Sequence, residues 1–159
     1  MPITGFLRFR DIRGESTAAD HEDEIDVFGI QWSMSQGESA SVGTGRPRQR
    51  AVVNPLVVRK MYDASSPYIA LATMQGRSFD QAVITVRKDS GDAHLDYLEI
   101  VLENVLIAAY EMNDVADGEG IEEAVSLSFE KVNIKYTVQA DDHSAGDEHE
   151  IEFDIAAGA

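Results

Sequence analysis

Apolar residues recur at alternate positions along most of the chain, the period of a β-strand with one covered face. Residues 3–10 alternate roughly, with Ile3, Phe6 and Leu7 apolar, and predict a first strand. The polar, acidic stretch Asp11–Glu24, broken by Gly14, predicts a loop. From Ile25 to Met34, Phe28, Ile30, Trp32 and Met34 fall on one face while Gly29, Gln31 and Ser33 take the other, which predicts one strand with Trp32 as a core anchor. Val52–Met61 predicts the next strand, with Pro55 marking an edge or a bulge. A single short helix is expected from Ser66-Pro67. Serine at its N-cap accepts an orphan backbone N–H, proline in the first helical position gives up no bond, and Gly76 ends it. Ile69 and Ala72, with Tyr68, Leu71 and Met74, make it amphipathic but too short to stand alone, so it must pack on a sheet.

Ala82, Ile84 and Val86 alternate again, and Asp89-Ser90-Gly91-Asp92 is a turn cluster that predicts a hairpin. Its second arm, Leu95–Met112, has two readings. Tyr97, Glu99, Val101 and Glu103 alternate against Leu98, Ile100 and Leu102 as in a strand, whereas Leu95, Leu98, Leu102, Leu106 and Ala109 fit a helical stripe. After a turn at Asp114–Gly120, Val125, Leu127 and Phe129 hold odd positions, but Val132, Ile134, Tyr136 and Val138 hold even ones. Such a phase flip near Glu130-Lys131 requires a bulge or a crossing between sheets, with Phe129 and Val132 both buried. Asp141–Glu150 is expected as an acidic loop, and Ile151, Phe153 and Ile155 as a last strand.

Gln36–Gln49 shows neither period and holds Gly37, Gly43, Gly45 and Pro47, a loop long enough to be a working part. Length adds one constraint: 159 residues are expected to form one domain, 1–159. Charge adds another. Thirteen lysines and arginines against 29 aspartates and glutamates leave a formal charge of −16, which disfavours nucleic acid and anionic membranes as partners. Cysteine is absent, which removes disulfides and thiolate chemistry. The start lacks the apolar core of a secretory signal and no apolar run reaches bilayer length, so folding in the cytosol without membrane insertion is expected.

Candidate chemistry does not converge. Aligning Gly118 with the glycine of a calcium loop places Val115 and Ala124 where oxygen ligands are needed. His143 and His149 stand among Asp141, Asp142, Glu148 and Glu150 without a compact ligand spacing. Gly14-Glu15-Ser16-Thr17-Ala18 approaches a nucleophile elbow but lacks its last glycine and a following helix, and His21 among its acidic neighbours reads as a surface residue. Gly43-Thr44-Gly45 has no Lys-Ser or Lys-Thr pair at phosphate-loop spacing. No catalytic residue, metal or cofactor is expected.

Four stretches nevertheless resemble, in order, the hemolysin-coregulated (Hcp) family of type VI secretion proteins. They are Glu24-Ile25-Asp26-Val27 running to Trp32-Ser33-Met34-Ser35-Gln36, Lys60-Met61-Tyr62-Asp63-Ala64-Ser65-Ser66-Pro67, Tyr97–Val105, and Val125–Tyr136, with Gly14-Glu15-Ser16 ahead of them. The resemblance implies a mainly β protein, a two-sheet β-barrel with one short α-helix, in which Leu95–Met112 is a strand. It implies a non-enzymatic tube subunit: six copies in a ring, rings stacked into a hollow tube, present in the bacterial cytoplasm and then exported without a cleaved signal.

The resemblance further implies spike, sheath and effector proteins as partners. Gln31 and Ser33 become candidate lumen positions, Gln36, Glu38, Arg46, Arg48 and Arg50 a candidate inter-subunit loop, and Asp89, Ser90, Gly91 and Asp92 a candidate ring-face turn. The three arginines on one loop of an acidic chain point to an acidic surface on another copy. An exported adaptor ring for effectors is one alternative, and a small hydrolase or metal enzyme is another, disfavoured by the missing constellation.

Overall fold

The computed structural model describes residues 3–36, 51–90, 93–115 and 118–159. Its strands in chain order are β1 (Thr4–Phe9), β2 (Ile25–Val27), β3 (Gly29–Gln31), β4 (Met34–Gln36), β5 (Ala51–Val53), β6 (Leu56–Met61), β7 (Ser78–Ser90), β8 (Ala93–Asp114), β9 (Ile121–Ser128), β10 (Lys131–Gln139) and β11 (Ala145–Asp154), with helix α1 (Ser66–Gln75) between β6 and β7. The pairing order β2-β1-β7-β8-β9-β6-β3 makes one antiparallel sheet, and β10 joins it on β8 with β11 outside. β4 and β5 form a separate two-stranded ribbon on either side of residues 37–50.

The two ends of the long sheet belong to one stretch of chain, 25–31, which pairs with β1 through its first half and with β6 through its second. At the change of partner, the Phe28 N–H donates to the Arg59 carbonyl at 2.9 Å, and the Phe28 carbonyl accepts the Ile3 N–H at 3.1 Å. The sheet is thereby joined to itself through Phe28, which is the barrel the family resemblance implied. Leu7, Ile25, Leu56, Val58, Ile84, Leu102, Val125 and Leu127 fill its inside, and Ile69 and Ala72 of α1 pack into the same core.

The strand reading of Leu95–Met112 holds. β8 pairs with β7 on one edge and with β10 and then β9 on the other. Alternation breaks at one level across the sheet: burial passes from Phe79 to Ala82 on β7, from Leu102 to Val105 on β8, and from Leu127 to Val132 across the β9–β10 junction. Exposed Asp80, Asn104 and Glu130 stand at those breaks. Asn104 has φ of 53°, a left-handed conformation that asparagine tolerates, and its amide donates to Glu130 at 2.9 Å. The helical stripe fails here: Leu106 and Ala109, which a helix needs inside, are exposed, and the residue buried after Leu102 is Val105, which lies off the stripe.

The phase flip expected near Glu130-Lys131 is therefore present, with Val132 buried and Phe129 half-buried against the core.

Several elements differ from the sequence reading. Ile25–Met34 is three short strands; the change of partner at Phe28 turns the chain over, so Ile25 and Val27 are buried, Ile30 and Trp32 half-buried, and Met34 is 53% exposed. Trp32 rests at the core's rim, edge-on to Phe129, with its indole N–H donated to the Asn54 carbonyl at 2.9 Å. Val52–Met61 divides at Asn54-Pro55 into β5 and β6. The helix N-cap is Ser65, which makes no side-chain cap bond; Ser66 is already helical, while Gly76 ends the helix with φ of 64° as expected.

In β7, Val83, Thr85 and Arg87 are buried as well as Ala82, Ile84 and Val86. More than half of the expected acidic loop is strand, since β11 starts at Ala145. The even apolar row of β10 ends at Ile134: Tyr136 and Val138 are exposed and Thr137 is buried instead, just ahead of a register shift between Thr137 and Gln139.

Candidate functional site

Two polar clusters that the sequence reading missed fix the surfaces of this barrel. The first lies where β6 and β9 pair beneath the start of α1. Lys60 continues the buried row of Leu56 and Val58, Glu123 continues that of Val125 and Leu127, and the two stand directly opposite each other in register. Lys60 Nζ binds the Glu123 carboxylate, the Ser66 hydroxyl at 2.9 Å, the Met61 carbonyl at 3.0 Å and Asp63 at 3.1 Å. Ser66 Oγ accepts the Asp63 N–H at 3.0 Å and donates to Glu123 at 2.8 Å, which uses all of its bonding capacity. The Tyr110 hydroxyl donates to the other Glu123 oxygen, and burial, then this carboxylate, push the phenol far above its ordinary range.

Lys60 and Glu123 are fully buried, and among the described residues each buried side-chain nitrogen and oxygen there has at least one partner. The cluster clamps the helix entry to the barrel. Its sequence signal was legible: opposite charges in the core phase of two strands.

The second cluster covers the outside of β1 and β7. Phe6 faces away from the main core, and His21 from the 11–24 loop stacks on it at 4.3 Å between ring centroids. His21 is 7% exposed, which corrects its reading as a surface residue. Its Nδ1 meets Glu24 and its Nε2 meets Asp96, both at 2.9 Å, while Arg87 Nε donates to Asp96 at 3.0 Å. Burial pushes the Asp96 carboxyl up, but His21 and Arg87 outweigh it and hold the group below the usual carboxylate range. Gly14 belongs to this loop for a steric reason: a Cβ there would stand 2.5 Å from the Glu24 carbonyl. Ser16 is buried, its hydroxyl accepting the Ala18 N–H, so the segment that approached a nucleophile elbow is a packed turn.

The candidate site residues divide by position. Gln31 is exposed at the end of β3, opposite in phase to Ile30 and Trp32. Ser33 is exposed and its hydroxyl accepts the Asn54 side-chain amide at 2.9 Å. Gln36 ends β4 across from Ala51, and Glu38, Arg46, Arg48 and Arg50 lie outside the described residues. Asp89 is exposed beside His94, 2.6 Å from its Nδ1. Ser90 pairs with Ala93 as the hairpin requires, and Gly91 and Asp92 lie outside the described residues. Of these candidates, Gln31 lines an open surface cavity together with Val57, Arg59, Glu122 and Ser126. Among the described residues no three His, Cys, Asp or Glu side chains are grouped to hold a metal, and no helix is long and apolar enough to cross a membrane.

Exposed apolar side chains are concentrated instead. The sequence of α1, Ser-Pro-Tyr-Ile-Ala-Leu-Ala-Thr-Met-Gln, contains no charged residue, and its outward face carries Tyr68, Leu71 and Met74, the last 78% exposed. Met61 and Tyr62 follow at the end of β6, and Tyr136, Val138 and Ile151 stand out from the β10–β11 hairpin. On a chain of charge −16, the face of α1 is a place where another protein can approach an apolar surface whose own helix carries no charge, whereas Ile151 stands between Glu150 and Glu152.

Known proteins agree with this architecture. The family model described as type VI secretion system effector, Hcp, matches residues 6–136. Protein hcp1 of Pseudomonas aeruginosa is 32% identical over 142 residues, covering 89% of this chain and 88% of the relative. Among solved structures, one described as a type six secretion system protein superposes with a TM-score of 0.88 at 21% identity, covering 99% of this chain and 98% of the other. Hcp1 from Salmonella typhimurium superposes with a TM-score of 0.80 at 28% identity, covering 99% and 97%. The ordered motifs, the barrel joined at Phe28 and the family match over most of its length converge: the chain belongs to the Hcp family of type VI secretion proteins.

Proposed function

We propose that this chain is the structural subunit of a type VI secretion tube: six copies close a ring, rings stack, and the exported tube accommodates effector proteins in its lumen. The observation that carries the reading is the charge-free, exposed apolar face of α1 on an otherwise strongly acidic Hcp fold. Six subunits bring 6 × (−16) = −96 formal charges together, a repulsion screened over about 8 Å at physiological ionic strength, so apolar burial has to dominate ring closure. Lateral contacts are head-to-tail and close, while axial contacts propagate.

In this reading Gln31 and Ser33 face the lumen, Asp89–Asp92 lies on a ring face, and the loop with Gln36, Glu38, Arg46, Arg48 and Arg50 reaches the neighbouring ring. The role involves no bond chemistry, with a spike, a sheath and effectors as partners and the cytoplasm as the compartment before export.

Sedimentation and native mass of the full chain test it. A hexamer is the expected species, and a monomer at every concentration overturns the reading. Changing Arg46, Arg48 and Arg50 together to glutamate is expected to leave the hexamer intact and shorten stacked tubes; unchanged tubes, or a dissociated hexamer, place this loop at another interface.

A further inference from the structure

Beyond Ile12, nothing in the hydrophobic pattern of Asp11–Glu24 predicts burial, yet its histidine is stacked on Phe6 and held between two carboxylates. His21 lies nearly parallel to the Phe6 ring, 5° between planes. Both of its ring nitrogens face carboxylate oxygens at 2.9 Å, Nδ1 that of Glu24 and Nε2 that of Asp96. A neutral imidazole carries one N–H, and its other nitrogen presents a lone pair; set against an ionised carboxylate, that nitrogen makes no hydrogen bond and is repelled. An imidazolium donates at both nitrogens, so the geometry fits the charged ring.

The surrounding groups reinforce that state. The loop supplies Glu24, β8 supplies Asp96, β7 supplies Arg87, and β1 supplies the uncharged Phe6. Arg87 is a competing cation, but it is already engaged: its Nε donates to the second Asp96 oxygen at 3.0 Å, a terminal nitrogen donates to the Ala19 carbonyl at 2.7 Å, and its guanidinium lies 5.3 Å over Phe6. With His21 charged, two cations balance two anions in a site mostly shut off from water. With His21 neutral, one anion is left unbalanced. Three separate segments, the loop, β1 and the β8 start, meet at this one ring.

We propose that protonated His21 is a pH-operated latch that holds the 14–24 loop over the outer face of β1 and β7 and loosens as the imidazole loses its proton. Burial opposes the charge, but Glu24 and Asp96 outweigh it and raise the His21 pKa above the ordinary 6.5. A group raised in the folded state contributes stability that is fully present below its unfolded value and lost as pH rises through its folded value. Asp96 sets the opposite limit: its depressed folded pKa contributes stability present above 3.8 and lost as pH falls through that depressed value. The latch is closed between the two and opens as pH rises through the raised folded value of His21. Its release acts at the root of the β7–β8 hairpin, just behind Asp89, where Arg87 pairs with Asp96.

The test is a histidine side-chain nitrogen titration by NMR on the full chain, with His21→Gln identifying the His21 signals. Hydrogen exchange of amides 14–24 is followed over the same pH range. The expected result is a His21 ring protonated at both nitrogens at pH 6, a midpoint above 6.5, a downward shift of that midpoint in Asp96→Asn and in Glu24→Gln, and loop exchange that rises more steeply with pH than in His21→Gln. A midpoint at or below 6.5, or the same pH profile of loop exchange in His21→Gln, overturns the latch. Should His21→Gln fail to fold, the midpoint shifts in Asp96→Asn and Glu24→Gln decide the matter on their own.

Discussion

The β1–β7 wall and the β10–β11 hairpin have the same antiparallel pairing and opposite surroundings. Ala82–Arg87 are buried without interruption, because one face of β7 looks into the barrel and the other is roofed by the 11–24 loop through Phe6 and His21. Every residue of β11 from Ala145 to Glu152 is exposed, and among the described strands β11 pairs with β10 alone. Both are antiparallel, but β7 is paired on both edges and β11 on one, and they differ further in how many faces are covered. A strand covered on both sides contributes to the subunit's own stability; one open on both sides contributes little to it and is free to serve contacts with other molecules. The lysines of β10 fit this division: Lys131 stands between Glu103 and Asp154, and Lys135 between Glu99 and Glu150, a charged cross-strand ladder on an open face.

The sharpest way to break the comparison is to damage the covered body and find it indifferent. Replacing Glu123 by alanine removes the buried carboxylate opposite Lys60, leaving Asp63 as the carboxylate partner of that ammonium and Tyr110 without its acceptor, and is expected to cost about 3–5 kcal/mol of unfolding free energy, read by urea titration. A loss below about 1 kcal/mol would mean that the pair is relieved by water and that the helix entry is not clamped as described. Gly14→Ala tests the roof. Its Cβ would press on the Glu24 backbone, so a cost of about 1–3 kcal/mol is expected, with faster hydrogen exchange in residues 14–24. If only the stability falls while the loop's exchange is unaltered, the roof is not what this glycine holds.

The smallest effect belongs to the hairpin. Ile151→Ser, at a position 57% exposed, is expected to shift the stability of the dilute subunit by less than about 0.5 kcal/mol while weakening self-association measured by sedimentation. A larger loss in the isolated chain would show that β11 is part of the covered body after all.

Much of this was legible before any coordinates. Alternation located β1, β7, β9 and β10, the Pro67 and Gly76 punctuation placed the helix, and the change of phase near Glu130 marked a real break in the sheet. The ordered motifs gave the family, and with it the strand reading of Leu95–Met112. The polar clusters were not legible in the same way. Lys60 and Glu123 do leave a trace, because each continues an apolar row, but a single charge at the end of a strand ordinarily means that the strand is leaving the core. His21 leaves none: Asp96 is 75 positions away and becomes its partner only once β7 and β8 have paired.

By itself the sequence determined the local propensities of this protein and its charge: where strands alternate, where a short helix starts and stops, and that the surface is acidic. Those properties depend on near neighbours and on composition, which any stretch of chain displays. The tertiary structure alone decided which faces are covered, that the 25–31 stretch turns over at Phe28 to join both ends of the sheet, and that one histidine lies between two carboxylates. Each of these requires segments far apart in sequence to meet, and alternation specifies that a strand has two faces without specifying what will cover either one.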